Sequence, residues 1–197
     1  ELSVDAALED QLVAWFAASP SVAILLAGSR HVVGDAAHLV NRARLFIRGL
    51  ASSERLHHDK FAGFALPDGA VEMIQRPNLV TIYGGRRWSV APLICRDFLT
   101  LDARALLIRT RVRAVLVAAL SPKTDVFAQD AAALASDGHC LTFVANTPWA
   151  AGDHAAIFAR PLRSAGALVG HRTAEGVPGI AASISTNGYS FKAVTIP

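Results

Sequence analysis

Three short apolar runs constrain this chain more than any other feature: SVAPLIC (89–95), AVLVAAL (114–120) and CLTFVAN (140–146). Each has the length of one strand, and none alternates strictly between polar and apolar residues. Such runs suit strands covered on both faces. The segments between them, 101–111 and 125–137, read as helices, the second ended by Gly138. Strand, helix, strand, helix, strand is the signature of an α/β fold.

Hairpin signals make the sheets mixed rather than purely parallel. NLVTIYGGRRWSVAPLIC (78–95) reads as two apolar strands joined at Gly84–Gly85. NRARLFIRG (41–49) has SERLHHD (53–59) as its returning partner. Ahead of these, residues 3–18 form a helix capped by Ser3, with Asp5 at its positive end. Val4, Leu8, Leu12, Trp15 and Phe16 share one face of that helix, and Pro20 stops it. VAILLAG (22–28) reads as a buried strand ended by its glycine. From 155 onward AAIFARP, ALVGHR, GIAASIS and YSFKAVTIP read as strands joined by Gly- and Pro-bearing turns. With no repeat, linker or low-complexity tract, residues 1–197 form a single domain.

Composition excludes several classes. An apolar content of 52% over 197 residues supplies a core and argues against disorder. The longest purely apolar run, 114–120, falls far short of the roughly 18 residues of a membrane span. No charged leader with an apolar stretch opens the chain, so the expectation is a soluble, cytoplasmic protein. The net charge of +3 comes from scattered arginines and gives no basic face for nucleic acid. Cys95 and Cys140 stand too far apart for a zinc knuckle, and a reducing setting suits them. Cys140 opens an apolar strand and is most simply core.

Cys95 is different, because Arg96 and Asp97 follow it directly where a strand runs out. The end of a strand before a helix holds a nucleophile rigidly, with the next backbone N–H available to an oxyanion. A lone cysteine there is nevertheless more often inert, so its partners decide. Histidine is the usual base for a cysteine, but no protease-type signature surrounds this one. A carboxylate with a lysine is the other pairing. Only three lysines occur, and Lys60 lies in RLHHDKFAGF, between a strand and a small-residue loop. His57 and His58 in the same stretch lack the further ligand spacing a metal site needs.

The ordered segments resemble the nitrilase, or carbon–nitrogen hydrolase, superfamily. Glu1–Leu2 and Gly28–Ser29 fall where its first catalytic segment has a glutamate and a later Gly-Ser. NRARLFIRGLASSERLHHDKF resembles its asparagine-led hairpin running into a lysine, here Lys60. VEMIQRPNLVTIYGGRRWSVAPLICRDFL resembles the segment with a second glutamate, Glu72, then a hairpin and an Ile-Cys-x-Asp motif at Cys95 and Asp97. RAVLVAALSP and CLTFVANTPWA resemble two later strands, the second ending in Asn146.

The resemblance implies an αββα sandwich with mixed sheets, lacking the family's first strand and helix. The chain is therefore expected to be part of a longer polypeptide. It also implies a cysteine-dependent hydrolase of non-peptide carbon–nitrogen bonds in a small amide, carbamoyl or nitrile substrate, with no cofactor and no metal. Glu1 is then the general base, Cys95 the nucleophile and Lys60 the oxyanion holder, helped by the backbone N–H of Arg96. Glu72 orients Lys60 or the substrate. Asp97 fixes the turn after Cys95 or caps the next helix, and Asn146 holds a strand-end loop. Relatives commonly pair, so self-association is compatible with this reading. The departures from the pattern are Arg96, where the family often has an aromatic residue, and DHAAIFARP in place of a later Gly-x-Ser. An acyltransferase on the same scaffold, or a degenerate regulatory domain of a larger protein, are the alternatives.

Overall fold

Alternation along the first three strands sets the layering of the molecule. The computed structural model describes residues 2–34, 38–49, 56–65, 69–84, 88–121 and 124–146, together with the backbone of 155–159, 170–173, 184–186 and 189–191. Helix α1 (Leu2–Ala18) leads into strands β1 (Ile24–Val33), β2 (Leu39–Ile47) and β3 (Leu56–Asp59). These form an antiparallel sheet in the order β1-β2-β3. Ile24 lies opposite Ile47, and Leu45 lies opposite both Leu26 and Leu56. Partners across a ladder share a face, and this face packs on Val90, Ala114 and Leu116 of a second sheet. The opposite face carries Phe46, whose ring centroid is 6.0 Å from that of Phe16 on α1. Arg30 and Arg44, also on these strands, both reach Glu9 of the helix, at 3.0 and 3.4 Å. Arg48 lies over the Phe16 ring and donates to the carbonyls of Phe16 and Ser19. It thereby satisfies carbonyls that the end of α1 leaves without helical partners.

The strand expected to end at Gly28 runs on to Val33. The register shifts between Ala27 and Ser29, so Gly28 marks a bulge rather than a stop. Nor is that strand buried throughout: Leu25 and Ala27 are buried, while Ile24 and Leu26 are partly exposed. A strand between a helix and a sheet needs only partial cover on each side.

The second sheet has six strands in chain order: β4 (Tyr83–Gly84), β5 (Ser89–Ile94), β6 (Ala114–Ala119), β7 (Leu141–Asn146), β8 (Ala155–Ala159) and β9 (Gly170–Thr173). β5, β6 and β7 run parallel, and the other pairings are antiparallel. Helices α2 (Leu101–Thr110) and α3 (Ala128–Asp137) make the two crossovers, each preceded by a 3-10 turn. Leu93, Val115 and Val117 meet Phe98, Leu107, Phe127 and Leu134 between sheet and helices, all at most 1% exposed. Each such side chain stabilises the fold by about 1.5–3 kcal/mol relative to exposure. The order of layers is therefore α1, first sheet, second sheet, α2 and α3: an αββα sandwich in which the first sheet is antiparallel and the second mixed.

The hairpin before Cys95 is shorter than its sequence signals. Only Tyr83 and Gly84 pair with β5, residues 78–82 lie outside the ladder, and Gly85 falls outside the described residues. Val80 and Ile82 instead bury their side chains against the main core from a loop, so their apolar character reports packing rather than pairing. The later strands expected from sequence are present at β8, β9, β10 (Ile184–Thr186) and β11 (Tyr189–Phe191), the last two forming a separate antiparallel pair. Among the described residues no helix is long and apolar enough to cross a membrane.

Candidate active site

Three parallel strands end side by side, and the crevice at their carboxyl ends is where α/β sheets place ligands. β5 delivers Cys95, β6 delivers Leu120 and Ser121, and β7 ends in Asn146. Asn146 closes this end of the sheet. Its Oδ1 accepts from the Ser121 N–H and its Nδ2 donates to the Ser121 carbonyl, both at 2.8 Å. Cys95 adopts φ +45°, a left-handed conformation that is unusual for a residue with a Cβ. Its Sγ lies 3.9 Å from the Leu120 carbonyl oxygen and stays partly accessible. Cys140 is the opposite case: it is buried, and burial pushes its thiol up to about 12, leaving it inert.

The backbone around Cys95 is held by Asp97, which is fully buried. Its Oδ2 accepts from the Ile94 N–H at 3.2 Å and from His58 Nε2 at 2.9 Å. Its Oδ1 accepts from the N–H groups of Phe61 and Ala62 at 3.1 and 2.7 Å. One carboxylate thus joins the turn that carries Cys95 to the segment that follows Lys60. Arg96 sits at the start of the same turn, with its side chain exposed.

Lys60 comes one residue after β3 and is 4% exposed. Its backbone N–H donates to the Asn41 carbonyl at 2.8 Å, and its Nζ donates to Glu72 Oε2 at 2.5 Å. The intervening loop folds back on itself: Glu72 N–H donates to the Phe64 carbonyl, and Ala65 bridges Val71. Glu72 also accepts from Asn41 Nδ2 at 2.8 Å, and its Oε1 lies 3.0 Å from His31 Nε2. Burial by itself would raise the Glu72 carboxyl. The hydrogen bonds from Lys60 and Asn41, the lysine charge and the His31 contact outweigh it and hold the group below the ordinary glutamate value. A carboxylate held this way stays ionised near neutrality and anchors the ammonium.

Of the sequence-derived candidates, Lys60 and Glu72 touch, and Cys95 is tied to the Lys60 segment through Asp97. Glu1 lies outside the described residues. Asp97 fixes its own turn, as expected, and also reaches across to the first sheet, which was not expected. The sequence assigns His31 no role, marks Asn41 only as the start of a hairpin, and raises His58 only as a metal ligand. His31 and Asn41 are ladder partners on β1 and β2, a relation invisible until the register is known. Among the described residues no three His, Cys, Asp or Glu side chains gather closely enough to hold a metal ion.

Fold and layering define the class: the chain has the carbon–nitrogen hydrolase fold. It is similar to a CN-hydrolase superfamily protein from Xanthomonas campestris with an arsenic adduct in its active site, at 15% identity and TM-score 0.53, covering 75% of this chain and 60% of that one. It is also similar to a cysteine-to-alanine mutant of the nitrilase-superfamily amidase from Nesterenkonia AN1, at 15% identity and TM-score 0.51, over 77% of this chain and 62% of that one. That mutant has also been solved in complex with butyramide. Saccharomyces cerevisiae Nit3, a nitrilase-superfamily member, aligns at 16% identity and TM-score 0.50, over 64% of this chain and 45% of its own. The chain thus spans between about half and two thirds of the length of these proteins. No family model and no curated protein sequence matches it.

Proposed function

We propose that this chain is a cysteine-dependent hydrolase of non-peptide carbon–nitrogen bonds, acting on a small amide, carbamoyl or nitrile compound through a thioester, with residues 1–197 forming one catalytic domain. The observation that carries this reading is the buried Lys60–Glu72 pair at 2.5 Å, hung from the same Asp97 carboxylate that fixes the turn of Cys95. A buried ammonium is costly without a negative partner; Glu72 is one at rest, and the same Nζ has further N–H groups to offer a second. A developing oxyanion is such a charge.

For an amide, the steps follow from these groups. Glu1 takes the proton of the Cys95 thiol. The sulfur attacks the carbonyl carbon, and the electron pair of the C=O bond moves to oxygen. Lys60 Nζ and the Arg96 backbone N–H stabilise that oxyanion, one such donor being worth about 2.7–4 kcal/mol in the transition state. The C–N bond then breaks, and Glu1 passes its proton to the departing amine. Water, deprotonated by Glu1, attacks the thioester and releases the acid and the free thiol. Glu72 holds Lys60 in place, and its own carboxyl, held below the ordinary value, is unsuited to act as the base. The butyramide complex of the Nesterenkonia amidase makes short aliphatic amides the first substrates to try.

The test is turnover of a panel of short amides, carbamoyl compounds and nitriles, with mass spectrometry of the trapped protein. The expected result is ammonia release that Cys95→Ala abolishes, with an acyl adduct on Cys95 and none on buried Cys140. Full turnover by Cys95→Ala would refute the reading.

A further inference from the structure

The Asp97 carboxylate accepts from four N–H groups, three of them backbone and one from a side chain, His58. His58 lies on β3 of the first sheet and Asp97, 39 residues away, in the 3-10 turn after β5; both side chains are fully buried. The His58 ring is wedged edge-on against Phe61 with centroids 5.9 Å apart. Its Nδ1 is buried and has no partner among the described residues. The Asp97 oxygens already accept from backbone N–H groups, so Nε2 is the donor in the contact between the two side chains.

We infer that His58 is a positioning residue: through its Nε2–H bond to Asp97 it fixes the Lys60 segment in register with the Cys95 turn. The inference rests on the proposed hydrolase reading for its catalytic consequence but not for its structural content. Asp97 bonds Ile94, Phe61 and Ala62 only while its carboxylate is held in one rotamer. The three amides constrain it along the backbone, and His58 is the remaining contact that fixes it from the first sheet. Loosening the carboxylate frees the residue before Cys95 and the two after Lys60 together. A strained φ at Cys95 persists only while its surroundings over-determine it.

Two substitutions separate this role from bulk packing. His58→Gln places an amide nitrogen three bonds from Cβ, where His58 Nε2 stands, and keeps the donor. His58→Asn offers the same chemistry one bond short of Asp97. Hydrogen exchange followed by mass spectrometry reads the amides of Phe61, Ala62 and Ile94, and steady-state kinetics on an active amide read the site. In His58→Asn, protection at both segments is expected to fall together by about tenfold or more. kcat should fall by about 10–100-fold with KM little changed, as for misplaced catalytic groups. His58→Gln should restore both. Wild-type protection at either segment in His58→Asn overturns the inference, whatever the activity. So does lost protection with kcat unchanged, and so does failure of His58→Gln to recover when it is folded. Absence of amide turnover by the wild-type protein would instead sink the hydrolase reading, and the exchange comparison would still decide whether His58 locks the two segments.

Discussion

Glu72→Ala isolates the pair on which the site depends. The Lys60 and Glu72 side chains are 5% and 13% exposed, so solvent screens their attraction only weakly. Removing the carboxylate strips Lys60 Nζ of its acceptor and strands Asn41 Nδ2, which donates to the same group at 2.8 Å. Breaking a buried pair from one side costs about 3–5 kcal/mol, because the remaining charge stays buried. Lys60→Met removes that remaining charge, so the double variant should cost less than the sum of the singles by about 2 kcal/mol or more. Urea unfolding of wild type, both singles and the double gives the four free energies, with the slope checked for constancy across the set. A coupling below about 0.5 kcal/mol would place the pair among solvent-screened surface contacts. It would also remove Glu72 as the anchor of Lys60.

Acid should weaken the protein through the same carboxylate. The Glu72 carboxyl titrates lower in the folded chain than in the unfolded one, so its contribution is complete above the unfolded value of about 4.3 and is lost as pH falls through the folded value. Asp59 acts in the neighbouring acid range. Burial raises its carboxyl, but bidentate hydrogen bonds from Arg42 and the nearby positive charge outweigh that. Urea midpoints measured from about pH 3 to 7 should therefore drop on acidification, and Glu72→Gln should flatten but not abolish the drop. Asn146→Ala should destabilise by about 1–3 kcal/mol, since it removes two buried hydrogen bonds to the Ser121 backbone. Thermal melts would show Asn146→Asp in between, because it keeps the acceptor and loses the donor.

The parts of the fold legible in the sequence were those where burial and pairing coincide. SVAPLIC is buried almost throughout, whereas AVLVAAL and CLTFVAN begin by alternating buried with partly exposed residues, so an apolar run marks a strand even where one face is only partly covered. NLVTI has the composition of a strand, yet Val80 and Ile82 pack partly buried on the core without being laddered, and composition does not separate the two. Gly28 was read as a terminator, yet a glycine in a strand can equally mark a bulge, and only the partner strand decides. Cys95, Lys60 and Glu72 stood out through the order of short motifs along the chain. Their supports did not. The contact of His58 with Asp97 runs from the first sheet to the turn after β5, and no local pattern encodes which imidazole will meet which carboxylate. The reach of Asp97 back to Ile94, three residues away, was legible because it is local.

Lys60 and Glu72 belong to the end of the first sheet and its following loop, whereas Cys95 closes a strand of the second. Neither half contains the whole constellation. A chain emerging from the ribosome holds its ammonium and carboxylate well before its thiol, and the thiol gains its fixed posture only when the two layers meet. If the proposed hydrolase reading holds, amide turnover should appear only once the two layers have met, and a half-assembled molecule should show none.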